Sequence, residues 1–270
     1  GELRVCALRV SFPIDNDLST SGDGRFLMSS EGIDCGTLTI DPTPHDRPYF
    51  LSQIKAVSEY YNSVSYGKFK IDLDGSEVYP IDKDGSYILD SSMSFYNPYD
   101  DTINAERRIT KLFIDAVEKA YEVDSINVED FDLIVIFHAG IGQDFSLPFL
   151  DPTPEDIPST YVDDKMIKDC LDGYDFTING YQISHGIILP ETQNHLHYDI
   201  SLDMFSDASF PCDYQYGLTG TFALMIGFAI GLPPLWNIET GESGVGIFGL
   251  MDQGSNNGRG IIPAPPTAWS

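Results

Sequence analysis

The sequence predicts a mixed α/β fold: a twisted, mostly parallel sheet with helices packed on it. Three observations lead there. Residues 133–137 (LIVIF) form an unbroken apolar run closed in by Asp130, Asp132 and Gly140, as in a strand buried on both faces. Residues 103–122 place Ile109, Leu112, Phe113, Ala116, Val117 and Ala120 on one stripe, with Arg107, Arg108, Lys111, Glu118 and Lys119 off it, as in an amphipathic helix. Strand-like and helix-like stretches alternate along the chain, which suits a sheet covered by helices.

The elements follow in order. Residues 4–12 (RVCALRVSF) alternate and are rich in Val and Leu, so they read as the first strand. Residues 13–48 carry Pro13, Pro42, Pro44 and Pro48 with Gly22, Gly24, Gly32 and Gly36. They read as loop with one short strand over 36–40. Phe50, Ile54, Val57 and Tyr61 then recur at helical spacing. Residues 68–73 and 76–81 read as strands about an Asp74-Gly75 turn, and Asp82-Lys83-Asp84-Gly85 forms the next turn. Residues 144–186, rich in Asp, Pro, Tyr and Gly, are expected to be long loops with a short helix near 164–171. A short strand follows over 187–189.

Residues 217–237 carry no charge and have the length of a bilayer span. Against a span stand Gly217, Gly220, Gly227, Gly231 and Pro233-Pro234, and the absence of flanking Lys or Arg. The expectation is a buried core helix over 217–232 and no membrane span. The tail beyond it is rich in Gly and Pro and carries little regular signal.

Fifteen Lys and Arg against 42 Asp and Glu give a net charge of −27 and a pI near 4.1. Such a chain repels phosphate backbones and anionic membranes, which excludes nucleic acid as an expected partner. The four cysteines, Cys6, Cys35, Cys170 and Cys212, lack C-x-x-C spacing, which argues against a zinc ribbon or a dithiol redox site. Their count permits two bridges in an oxidising compartment without fixing a pairing, and four small buried hydrophobes is an equally open reading.

The informative segment is 220–252, running GTFALMIGFAIGLPPLWN and on to GVGIFGLMDQGS. It resembles the immune inhibitor A-like family of secreted zinc metalloproteases, of metzincin type. In that family a helix carries H-E-x-x-H-x-x-G-x-x-D, followed by a turn with a buried Met. Two His at i and i+4 share a helix face and bind zinc, and the Glu activates the zinc-bound water. The frame aligns without a gap. Gly227 falls on the second x of H-E-x-x-H, Gly231 is the bend glycine, and Met251 falls on the Met turn. The four chemical positions differ: Leu224 and Phe228 replace the two His, Met225 the Glu, and Pro234 the third ligand, Asp.

The likeness runs nearly the length of the chain. It includes RVCALRVSFP at the first strand, Tyr49-Phe50 opening a helix that ends Glu59-Tyr60-Tyr61-Asn62, and Ser65-Tyr66-Gly67-Lys68-Phe69. It continues through Phe137-His138-Ala139-Gly140, Pro190-Glu191-Thr192 and Ala268-Trp269. The resemblance implies a metzincin-like fold and a secreted or cell-surface protein. It implies one metalloprotease-like domain over 1–270, part of a longer chain. Its N-terminal subdomain is 1–233 with a degenerate helix, and its C-terminal subdomain is 234–270 with the Met turn.

Zinc needs N, S or O donors. Leu and Phe offer none, Met only a soft thioether, and Pro at most a carbonyl. Catalysis is therefore not expected at this helix, and the apolar replacements read as a former site repacked as core. Without the family frame, a Leu/Met/Phe stripe is plain core. The leading expectation is a catalytically silent homologue, without zinc, whose retained cleft binds protein, peptide or glycan. Two alternatives stand beside it. One is an active hydrolase whose metal has moved to His195, His197 and Asp199 (HLHYD), three donors at period-2 spacing on one strand face. The other is a structural or adhesion module of a surface protein. His138 reads as structural, and His45, in a Pro-rich loop, carries no signal. Calcium is a separate candidate: Asp15 and Asp17, Asp72 and Asp74, and Asp82 and Asp84 set carboxylates at i and i+2 in turns. None completes an EF-hand loop, and Asp turns form without metal.

Overall fold

A computed structural model describes residues 1–29, 35–145, 151–198 and 211–268. In chain order its strands are β1 (Glu2–Leu3), β2 (Val5–Ser11), β3 (Lys70–Ile71), β4 (Glu77–Tyr79), β5 (Tyr87–Ile88), β6 (Leu133–Ile141), β7 (Thr160–Val162), β8 (Phe176–Ile178), β9 (Tyr181–Ile183) and β10 (Gly186–Thr192). Its α-helices are α1 (Arg47–Val64), α2 (Met93–Tyr96), α3 (Ala105–Asp124), α4 (Asp164–Cys170) and α5 (Leu218–Ala229).

The main sheet runs β4-β2-β6-β10-β7, with β5 extending β4's side of β2. The strands β4, β2, β6 and β10 are parallel, and β7 closes the edge antiparallel to β10. The chain leaves β2 through α1 to reach β4, then crosses through α3 to β6 on the other side. Side chains alternate along each strand, so the two faces bury two cores. Val5, Ala7, Val135, Phe137, Ile187 and Leu189 meet α1 and α5. Cys6, Leu8, Val10, Ile134, Ile136 and Ile188 meet α3. Both faces are covered, and all nine residues of β6 are buried, which is why its first five, 133–137, are continuously apolar.

Local sequence sets the helix ends. Asp46 caps α1 by accepting the Tyr49 amide at 3.1 Å, and Pro48 sits in its first turn. The helix α3 stops where Ser125 turns left-handed, at φ 51°. The helix α5 is twelve residues long and largely apolar because it packs against both the sheet and α1. No described helix is long and apolar enough to cross a membrane.

Several expectations need correction. Residues 36–40 hold no strand; Gly36–Leu38 is a single 3₁₀ turn, pinned by a Cys35–Cys212 disulfide. Of the other cysteines, Cys6 is buried in the core and Cys170 is partly exposed. Residues 68–73 and 76–81 do not form a hairpin, because β3 pairs with β1 and β4 with β2, both parallel. The Asp74-Gly75 turn thus joins strands of different sheets. Residues 176–183, expected to be loop, form the β8–β9 hairpin about Asn179-Gly180, both at positive φ. Finally, His195–Tyr198 is a 3₁₀ turn and not a strand, so His195 and His197 do not share a strand face.

Candidate functional site

The segment singled out by its substitutions is built around α5. Gly227 faces inward onto Met251: a Cβ at 227 would lie 2.5 Å from the Met251 sulfur, and Met251 is fully buried. Only glycine lets the thioether seat against the helix. Tyr61 of α1 donates its hydroxyl to the Ala223 carbonyl at 2.7 Å, fixing the helix from behind.

The helix ends in a Schellman motif. The Leu232 amide reaches the Gly227 carbonyl at 2.9 Å and the Gly231 amide the Phe228 carbonyl at 3.0 Å, with Gly231 at φ 89°. This bend returns the chain across the helix end, where the Leu235 amide binds the Met251 carbonyl at 2.8 Å. The Met251 turn is itself anchored by Asp252. The Asp252 carboxylate accepts the amides of Gly244 (2.9 Å), Val245 (2.7 Å), Gly246 (2.8 Å) and Gln253 (2.8 Å), and the Ser243 hydroxyl (2.8 Å). Burial raises its pKa, but these bonds outweigh burial and hold it below the usual carboxylate value.

The positions 224, 225, 228 and 234 divide by direction. Met225 is buried, whereas Leu224, Phe228 and Pro234 remain partly exposed, so the helix face is apolar without being sealed core. Phe228 lies 6.2 Å from Tyr161 of β7 with the rings within 21° of parallel, and 5.8 Å from Trp236 at 86°. Tyr161 in turn lies 6.3 Å from His185. The result is an aromatic shelf at the edge of the sheet. Tyr161 and Trp236 carry no motif in the sequence; only the bend at Gly231 and the sheet order bring them to Phe228. Zinc, which the resemblance implies, does not fit this set: no imidazole, carboxylate or thiolate stands at 224, 225, 228 or 234.

The second candidate separates. His197 is buried and its Nε2 lies 3.1 Å from the Ile40 carbonyl, with its ring centroid 5.6 Å from that of His45. Both ring nitrogens of His195 are buried and have no partner among the described residues, and Asp151 is the charge acting on that ring. Burial lowers the pKa of both. Asp199 lies outside the described residues. Among the described residues no three His, Cys, Asp or Glu side chains converge as a metal site would require. The calcium candidates form Asx turns: Asp15, Asp72 and Asp82 accept the amides of Asp17, Asp74 and Asp84 at 3.1, 3.2 and 3.1 Å, and Asp17 accepts from Ser19.

A buried polar network at the carboxyl end of β10 was not visible in the sequence. His45 pairs with Glu191 at 2.6 Å, both fully buried. Glu191 also accepts the amides of Leu27 (2.9 Å) and Gly140 (2.7 Å) and the Tyr198 hydroxyl (2.5 Å). The Asp41 carboxylate accepts from Gln53, Thr192 and the Leu218 amide, each at 2.9 Å, and the Asp41 carbonyl bonds His45 Nε2. Burial lowers the His45 pKa, but Glu191 and Asp41 together raise it above the usual value. His45 is thus a hub and not an idle loop residue. Its partner stands 146 positions away, so no local pattern reveals it.

Compared with models of known protein families, with curated proteins and with solved structures, the chain matches none.

Proposed function

We propose that the protein is a secreted metalloprotease homologue of the immune inhibitor A-like, metzincin type that binds extended peptide and does not cleave it. The carrying observation is the seating of Gly227 on Met251, followed by the Gly231 bend, with apolar side chains at all four chemical positions. The glycine-on-methionine contact and the bend support this reading, and the side chains at the four positions offer no zinc donor. The mostly parallel sheet packed on α5 supports the same reading.

Two further features favour peptide as the ligand. Among the described residues β7 pairs only with β10, so its other edge offers backbone groups to an added strand. Tyr161 of that same strand stacks on Phe228, so a side chain of a peptide on the edge would meet the aromatic shelf. The Cys35–Cys212 bridge suits an oxidising compartment. Substituting Phe228→Glu, with folding checked by circular dichroism, tests the site. Affinity for a labelled extended peptide should fall at least about tenfold, a loss of about 1.4 kcal/mol. Unchanged affinity would remove this face from the binding site.

A further inference from the structure

We propose that the aromatic shelf receives an organic cation, the guanidinium or ammonium group of an arginine or lysine side chain on the bound peptide. This deepens the peptide-binding reading and rests on it. Where the family frame calls for a divalent ion, this chain presents ring faces. Phe228 and Tyr161 lie nearly parallel, Trp236 stands across them, and all three are partly exposed. The face of an aromatic ring attracts a cation within about 6 Å of its centroid.

The surroundings carry the matching sign. From 169 to 258 the sequence has eleven Asp or Glu and no Lys or Arg. That stretch supplies Phe228, Trp236 and the Met251 turn. Asp163 stands two residues beyond Tyr161, and its charge adds to burial in raising the Tyr161 phenol pKa. Lys165 and Lys168 of α4 pair with Asp169, Asp164 and Asp175, and among the described residues Asp163 forms no ion pair. Glu239 and Glu242 are exposed on the loop between Trp236 and Ser243, which bridge to each other. A cation on the shelf would therefore meet ring faces beneath it and carboxylates around it. A neutral side chain would gain only the apolar contact.

The test uses the full chain and two labelled heptapeptides of alternating valine and threonine. One carries a central arginine, the other citrulline, its uncharged isostere. Binding is followed by fluorescence anisotropy at low and high salt. The arginine peptide should bind at least about tenfold more tightly at low salt, with the gap narrowing as salt screens the exposed carboxylates. Asp163→Asn, which keeps the α4 cap, should shrink the gap, and Phe228→Leu should nearly close it. Equal affinity for the two peptides overturns the cation site and leaves peptide binding standing. Failure of both peptides to bind overturns both.

Discussion

Gly227 and His45 show how single residues set this structure. A helix interior ordinarily disfavours glycine by about 0.5–1 kcal/mol relative to alanine. Position 227 keeps it because the Met251 sulfur occupies the space a Cβ would need. Gly227 was legible in the sequence because it falls on a spaced motif. His45 was not, because its meaning lies in Glu191 and Asp41 across the fold. Removing one partner of a buried pair typically costs about 3–5 kcal/mol. His45→Leu should therefore destabilise the chain by about that much near pH 6, measured by urea denaturation. The pH dependence has a definite sign. His45 has a folded pKa above its unfolded value, so its contribution is complete below about pH 6.5 and fades as pH rises through the folded pKa. The cost of His45→Leu should shrink toward alkaline pH, and a cost that grows would contradict the pairing. His138 acts oppositely: burial lowers it to about 4, so its contribution is lost as pH falls from about 6.5 toward 4.

At the scale of elements, legibility followed the range of the signal. The strand β6 and the helix α3 were readable because their patterns are long and one-sided. The short pieces were not. One turn of 3₁₀ helix and a short strand share the same few residues, which is why 36–38 and 195–198 were misplaced. The β8–β9 hairpin did announce itself through Asn179-Gly180, a strong short-range turn signal, but two three-residue strands are a weak pattern amid Asp and Tyr. The bend after α5 has a consequence for the candidate site. Gly231 at φ 89° aims the 234–236 segment, and thereby Trp236, at Phe228. Gly231→Ala should cost about 1–2 kcal/mol in stability, and it should weaken peptide binding by loosening the shelf. A variant as stable as the parent would show that the bend carries no strain.

Across the whole molecule, 15 cations face 42 acids. The cations are not spread evenly. Arg107, Arg108 and Lys111 gather on α3, each beside an Asp, while the stretch 169–258 has none and Arg259, beside the start of α5, is paired with Asp213. The acidic balance was plain from composition. The place where it meets an aromatic surface required the sheet order, which brings β7 beside the turn after α5. The same order explains why the four positions are not equivalent: Met225 joins the core, while Leu224, Phe228 and Pro234 stay partly exposed.

The measurement that bears most directly on the proposal that this chain holds no zinc is a zinc titration of the purified chain. It is followed by thermal unfolding and elemental analysis after dialysis, with casein hydrolysis assayed in parallel. The expected result is no rise in Tm, no zinc retained in stoichiometric amount and no hydrolysis. One tightly held zinc per chain, with hydrolysis that a chelator abolishes, would contradict it.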